Sequence, residues 1–239
     1  MKTKIEWTEV TWNPCTGCTK ISSGCKNCYA EKMALRLKAM GVAKYKSGFE
    51  LSLHPGVLEE PYKWKESRVV FVNSMSDLFH ENIPLEFIQS VFKVMNDNKR
   101  HIFQVLTKRA DVLIKHADKL KWSDNIWMGV TVESDKYFER IDLLRGGPSK
   151  IKFLSLEPLL SSLKGINLNN IDWVIVGGES GPGSREIRKN WVTDIMESCR
   201  RSDVPFFFKQ WGGMNKKKNG RMLDGKFYSE MPEKINTEV

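Results

Sequence analysis

Apolar residues fall in short runs along this chain, each closed by polar residues and followed by a stretch with helical spacing. The runs occupy 69–72, 102–106, 126–130, 152–156, 173–176 and 205–208, and β-branched and aromatic residues dominate them. A run that is apolar at nearly every position suits a strand covered on both faces, as parallel strands are inside an α/β fold. Between the runs, 85–96 sets Phe87, Ile88, Val91, Phe92 and Met95 on one helical face, just after Pro84. The segment 191–201 repeats the pattern, with Trp191, Ile195 and Cys199 four apart. Strand and helix in alternation predict right-handed βαβ units. The expected fold is an α/β parallel barrel or partial barrel of about six to seven strands, the seventh near 6–12. A doubly wound open sheet is the alternative.

Residues 1–213 are expected to form the barrel. Within them, 40–65 lacks periodicity and carries Gly41, Gly48, Pro55, Gly56 and Pro61, which predicts an irregular insertion near the first helix. The polar, glycine-containing stretch 214–239 reads as a peripheral C-terminal extension.

Composition narrows the class. Hydrophobic residues make up 41% and charged residues 28%, the ordinary balance of a globular protein. No apolar run approaches the roughly 20 residues of a membrane helix, and the polar N-terminus has no signal core, so a cytoplasmic location without membrane association is expected. Lysines and arginines exceed acids by nine, which favours polyanionic partners such as nucleic acid or nucleotides. The densest basic run, Lys216-Lys217-Lys218, reads as a solvated loop.

The cysteines change the picture most. Cys15, Cys18, Cys25 and Cys28 form two CxxC pairs six residues apart, while Cys199 stands alone. Thiolates at this density hold soft metal centres, and the spacing alone admits a four-cysteine zinc site or an iron–sulfur cluster. The helix-forming sequence that follows Tyr29 places the cysteines on a loop between a first strand and a first helix, at the C-terminal mouth where catalytic groups of parallel barrels collect. Asp77, Lys108, Glu133, Glu157 and Glu179 also sit just past apolar runs, so they converge on the same mouth as ligand contacts or as mutual ion pairs with Lys108 and Arg109. Lys209, Gln210 and Trp211 extend that rim, with Trp211 expected to pack more readily than to stack. His54, His80, His101 and His116 make no HxH or HExxH spacing, and P-loop, GxSxG and GxGxxG motifs are absent.

The run Trp12-Asn13 to Ala30-Glu31, with Gly17-Cys18-Thr19-Lys20, Ser22, Gly24-Cys25 and Cys28-Tyr29, resembles the phage-associated three-cysteine-motif family of radical-SAM-like proteins. The likeness continues through Asn73-Ser74-Met75-Ser76-Asp77, Leu106-Thr107-Lys108-Arg109, Gly129-Val130-Thr131-Val132-Glu133 and Leu156-Glu157-Pro158-Leu159. Val174 to Gly181 and Pro205 to Gly212 complete it. The resemblance implies a 4Fe–4S cluster on Cys18, Cys25 and Cys28, with S-adenosylmethionine (SAM) on the iron that has no thiolate. The spacing CxxxxxxCxxC is three residues longer than the CxxxCxxC usual among radical SAM enzymes, and Cys15 is expected to be a spare thiol, not a fourth ligand. Gly177-Gly178-Glu179 looks like the element that holds the SAM methionine amino group, although Asn73, Ser74 and Asp77 stand at the strand where that element usually falls. The implied activity is radical SAM chemistry on a nucleic acid or nucleotide, supplied by an electron donor. Two rivals are a zinc-dependent nucleic-acid-binding protein and a divalent-metal phosphodiesterase built on Asp77, Glu133, Glu157 and Glu179.

Overall fold

The computed structural model describes Thr3 and residues 5–233. Its central sheet has seven strands, all parallel and ordered as they follow one another in the chain. They are β1 (Val10–Trp12), β4 (Val69–Val72), β5 (Ile102–Thr107), β6 (Ile126–Thr131), β7 (Lys152–Leu156), β8 (Trp173–Gly177) and β9 (Phe206–Gln210). Because the order never reverses, the switch point that defines a doubly wound sheet does not exist here. The sheet is an α/β partial barrel, with β1 and β9 as its edges.

Each strand presents alternate residues to opposite faces, and both faces are buried. Val70 and Val72, Phe103 and Val105, Met128 and Val130, Leu154 and Leu156 face the helices in the larger core. The residues between them, Phe71, Trp127, Phe153, Trp173, Ile175 and Phe207, join Trp7, Val69 and Ile102 in a second core inside the curl. Trp173 meets Trp7, Trp127, Phe153 and Phe207 at centroid distances of 5.7 to 6.3 Å, mostly edge-on. At about 25 cal/mol per Å² and about 150–250 Å² per ring, each aromatic of this floor contributes roughly 4–6 kcal/mol of transfer free energy. Gly129 leaves room for it, since a Cβ there would stand 2.5 Å from the Phe153 ring.

The helices are α1 (Tyr29–Ala39), α2 (Leu85–Asp97), α3 (Ala110–His116), α4 (Glu139–Arg145), α5 (Lys189–Arg201) and α6 (Lys216–Asn219). The crossover from β7 to β8 is not helical: Pro158, Gly165 and the run Asn167-Leu168-Asn169-Asn170 break it, while Leu159, Leu163, Ile166, Leu168 and Ile171 still cover the sheet. The seventh strand starts at Val10, later than the expected 6–12, because residues 6–7 turn to bring Trp7 into the inner core. Residues 40–65 hold short 3₁₀ turns and β3 (Ser52–Leu53), which pairs antiparallel with β2 (Cys15–Thr16). Beyond β9 the chain returns to the sheet: Leu223 is buried, Ser229 bridges to Phe207, and Trp173 Nε1 donates to the Glu230 carbonyl at 2.8 Å. Among the described residues no helix is long and apolar enough to cross a membrane.

Candidate active site

The alternation that fills the inner floor continues past the strand ends, and there it delivers polar groups. On β4 the inward series is Val69, Phe71, Asn73; on β6 it is Trp127, Gly129, Thr131, Glu133. On β7 it is Phe153, Ser155, Glu157, and on β8 Trp173, Ile175, Gly177, Glu179. Lys108 and Lys209 complete the set two residues beyond Leu106 and Phe207. A cavity of about 450 Å³ opens at this end of the sheet, with Trp7, Phe71 and Leu106 at its apolar part. Of the residues singled out from sequence, Asn73, Ser74, Asp77, Lys108, Glu157, Gly178 and Glu179 line it, together with Cys18, Cys25 and Cys28. Gly177 and Glu133 do not: Gly177 lies against the Glu157 carboxylate, and Glu133 is fully buried behind the wall.

The cysteines separate into two environments. Cys15 is fully buried in the main core on β2, where its amide donates to Asn73 Oδ1 at 3.3 Å and Asn73 Nδ2 donates to its sulfur at 2.9 Å. Burial pushes its pKa up to about 12. Asn73 adopts a left-handed backbone (φ 58°), and its two hydrogen bonds commit its side chain to Cys15. Cys18, Cys25 and Cys28 are partly exposed and face the cavity. Burial, and then the Asp77 charge, raise the Cys18 thiol to about 11, with Arg109 opposing. Burial also works against ionisation of Cys25, yet hydrogen bonding from Ser22 and backbone amides leaves its pKa below the ordinary thiol value.

Three charged clamps hold the cysteine loop. Arg109, just after β5, donates from Nη1 to Cys18 Sγ (3.4 Å) and Asp77 Oδ2 (3.2 Å), and from Nη2 to Thr19 Oγ1 (2.8 Å). Asp77 is saturated in turn, accepting from Thr107 Oγ1 (2.7 Å) and from the amides of Phe79 and Lys108 (both 3.0 Å). Glu133 accepts from Ser22 Oγ and from Arg140 Nη1 (2.9 Å), with Lys108 Nζ at 3.7 Å. Gly24 must pass this carboxylate, because a Cβ there would stand 2.3 Å from Glu133 Oε1. Glu179 accepts from Asn27 Nδ2 and Arg185 Nε (both 2.9 Å), and Arg185 Nη1 donates to the Ser23 carbonyl at 2.9 Å. Burial alone would raise the Glu179 carboxyl; the hydrogen bonds from Arg185 and Asn27 bring it down to about 2.

Of the carboxylates that position alone marks as ligand contacts, Glu133 and Glu179 spend oxygens on the loop that carries the thiols, and Asp77 reaches it only through Arg109. Glu157 faces the cavity more openly, paired with Lys209 Nζ at 2.7 and 2.9 Å. Gln210, also on the wall, donates to Ser180 Oγ (2.7 Å) and the Gly178 carbonyl (3.1 Å), while its buried Oε1 has no partner. Trp211 is a packing residue, edge-on to Phe208 with Nε1 donating to the Met222 carbonyl at 2.8 Å. The Gly178 approach is tight, since a Cβ would lie 2.0 Å from the Trp211 carbonyl oxygen. Nothing in the sequence marks Arg185 or Arg140, and Arg109 stands there as one ion-pair partner among the mouth residues. The signal for Arg109 was its position immediately past an inward-facing strand end.

In donor chemistry alone the set suits an iron–sulfur cluster: three thiols from one loop line one cavity, and the fourth cysteine of the stretch is locked elsewhere. Among the described residues no three His, Cys, Asp or Glu side chains are grouped so as to hold a metal ion. The fit therefore rests on the shared cavity and on thiol chemistry.

Fold and mouth together define an α/β partial barrel that carries a three-thiol loop over its C-terminal cavity. The chain belongs to the family described as "Protein of unknown function (DUF5131)", whose model matches residues 2–232. No curated protein matches it. Among solved structures it is similar to a spore photoproduct lyase mutant with bound AdoMet and dinucleoside spore photoproduct, at 11% identity and a TM-score of 0.44, covering 78% of this chain and 59% of that one. It is similar also to spore photoproduct lyase complexed with dinucleoside spore photoproduct, at 13% identity and a TM-score of 0.44, covering 77% of this chain and 58% of that one. The chain thus spans less than two thirds of the length of either structure.

Proposed function

We propose that this protein is a radical SAM enzyme that holds a 4Fe–4S cluster on Cys18, Cys25 and Cys28 and acts on a nucleotide or nucleic acid. The observation that carries the proposal is the segregation of the cysteines, three on the cavity wall and Cys15 buried against Asn73. The motif resemblance between Trp12 and Glu31 supports the same assignment. When bound, such a cluster supplies one electron to SAM and opens its sulfonium carbon–sulfur bond, which starts hydrogen abstraction from a substrate.

The chain's own residues do the rest. Arg109, Glu133 and Glu179 fix the loop at Thr19, Ser22 and Asn27, so the three thiols keep one arrangement. Gln210, on the cavity wall, keeps one buried amide oxygen without a partner. Trp7, Phe71 and Leu106 keep water from the deep side of the cavity. Lys108, Lys209 and Lys216 line the wall, each beside a carboxylate, Glu133, Glu157 and Glu6. The four carboxylates of a phosphodiesterase reading are each paired with a cation: Asp77 with Arg109, Glu133 with Arg140, Glu157 with Lys209, Glu179 with Arg185. That pairing leaves no free carboxylate cluster among them.

Anaerobic purification followed by iron, sulfide and zinc analysis tests the assignment. Iron and sulfide near four per chain are expected from the cluster stoichiometry, retained by Cys15→Ala and lost in Cys18→Ala, Cys25→Ala and Cys28→Ala. A colourless protein with one zinc per chain would remove the proposal.

A further inference from the structure

Arg109 does more than brace the cysteine loop. A guanidinium carries five N–H groups, and here each finds an acceptor. Nε donates to Glu81 Oε2 (2.7 Å), and Nη1 to Asp77 Oδ2 (3.2 Å) and Cys18 Sγ (3.4 Å). Nη2 donates to the Thr19 carbonyl (3.2 Å) and to Thr19 Oγ1 (2.8 Å). Four of the five bonds do not involve the thiol, so the cation stays beside Cys18 whatever that sulfur binds. Arg109, Asp77 and Cys18 all line the cavity, and the Arg109 side chain is only 4% exposed.

Bracing alone does not require a charge at a sulfur. Glu133 and Glu179 brace the loop through the Ser22 hydroxyl and the Asn27 amide. Of the three charged clamps, only Arg109 donates to a cavity thiol. Asp77, with a buried side chain, sets the opposite charge against the same nitrogen, while the Glu81 side chain is half exposed and screened by solvent. A thiolate-bound centre that takes up one electron gains negative charge. A buried cation bonded to one of its sulfurs stabilises the reduced form, and a buried carboxylate next to that cation opposes it.

We propose that Arg109 and Asp77 are an opposed pair of positioning residues that set the reduction potential of the group held by Cys18, Cys25 and Cys28, an inference that rests on the cluster assignment above. Arg109 raises the potential through its bond to Cys18, and Asp77 lowers it. The two charges are fixed by the fold, so the balance between them is built in before the cysteines bind anything.

A redox titration of the full-length, reconstituted protein with dithionite and mediator dyes, followed by electron paramagnetic resonance, tests this. At the wild-type midpoint, Arg109→Gln should lower the reduced-to-oxidised ratio by about tenfold or more, which is about 59 mV for one electron. Asp77→Asn, which keeps an acceptor oxygen and loses the charge, should raise the ratio by roughly threefold or more. Arg109→Lys, which keeps the charge without the fork, should fall between wild type and Arg109→Gln. Arg185→Gln loosens the loop at the Ser23 carbonyl without touching a sulfur, and should stay within about twofold of wild type. Loop loosening cannot give opposite signs in the first two variants. Shifts of one sign in both, an equal shift in Arg185→Gln, or no shift at full iron content overturns the inference. Should either of the two take up no iron, the other decides alone by its sign. Iron and sulfide missing from the wild type would instead sink the cluster assignment.

Discussion

The two halves of the barrel interior are built from the same alternation and do opposite work. Toward the strand N-termini the inward positions are Val69, Phe71, Trp127, Phe153, Trp173 and Phe207, which pack ring against ring. Toward the C-termini the same parity yields Asn73, Lys108, Glu133, Glu157, Glu179 and Lys209, which pair as ions or hold the cysteine loop. The floor contributes free energy through area, without direction. The rim contributes geometry, at the cost of desolvating charges that must stay paired. A floor defect should therefore lower stability alone, and a rim defect should also loosen the thiols.

The largest effects sharpen that contrast. Trp173→Ala removes a fully buried ring and should cost about 3–5 kcal/mol in urea denaturation. Asp77→Ala leaves Arg109 with only the half-exposed Glu81 as an acid partner and takes the acceptor from Thr107 and from the Phe79 and Lys108 amides, and should cost roughly 3 kcal/mol. Iron per folded protein separates the two: unchanged for Trp173→Ala, reduced for Asp77→Ala. Equal iron in both variants would erase the distinction between floor and rim.

A smaller pair repeats the comparison with glycines. Gly129→Ala drives a methyl into the Phe153 ring, and Gly24→Ala drives one into the Glu133 carboxylate. Each should cost roughly 1–3 kcal/mol by overpacking. Only Gly24→Ala should change the visible spectrum of the reconstituted protein, because it displaces the loop between Cys18 and Cys25.

The smallest effect is a pH dependence. Glu179 has its carboxyl brought from 4.5 to about 2 by Arg185 and Asn27, against burial. A depressed folded value means that the stabilisation is complete above pH 4.5 and lost as pH falls toward about 2. Acid denaturation of Arg185→Gln should begin at higher pH than that of the wild type. A coincident acid transition would show that the Glu179 clamp carries no stability.

Much of this architecture was legible in the chain. The six apolar runs fall on β4 through β9 because buried parallel strands need no polar positions, and the helix at 85–96 is α2 within one residue. The meeting of Cys18, Cys25 and Cys28 with Asp77, Lys108, Glu157 and Glu179 followed from their places just past strand ends. What stayed hidden is long-range. The β2–β3 ribbon comprises two residues per strand, too short for any period, and it joins segments about 38 residues apart in sequence. The Glu179–Arg185 clamp was equally invisible, because its two residues reach Ser23 and Asn27 only after the sheet has curled. Period-two counting from Phe71, Trp127, Phe153 and Trp173 would have marked Asn73, Glu133, Glu157 and Glu179 as inward-facing, but not which of them the loop would consume.

The most direct test of three thiols with one open iron is electron paramagnetic resonance of the reduced, reconstituted protein, recorded before and after SAM is added. The cluster signal should shift on SAM addition in the wild type and shift identically in Cys15→Ala. A signal indifferent to SAM, or one that Cys15→Ala alters before SAM is added, would contradict the account.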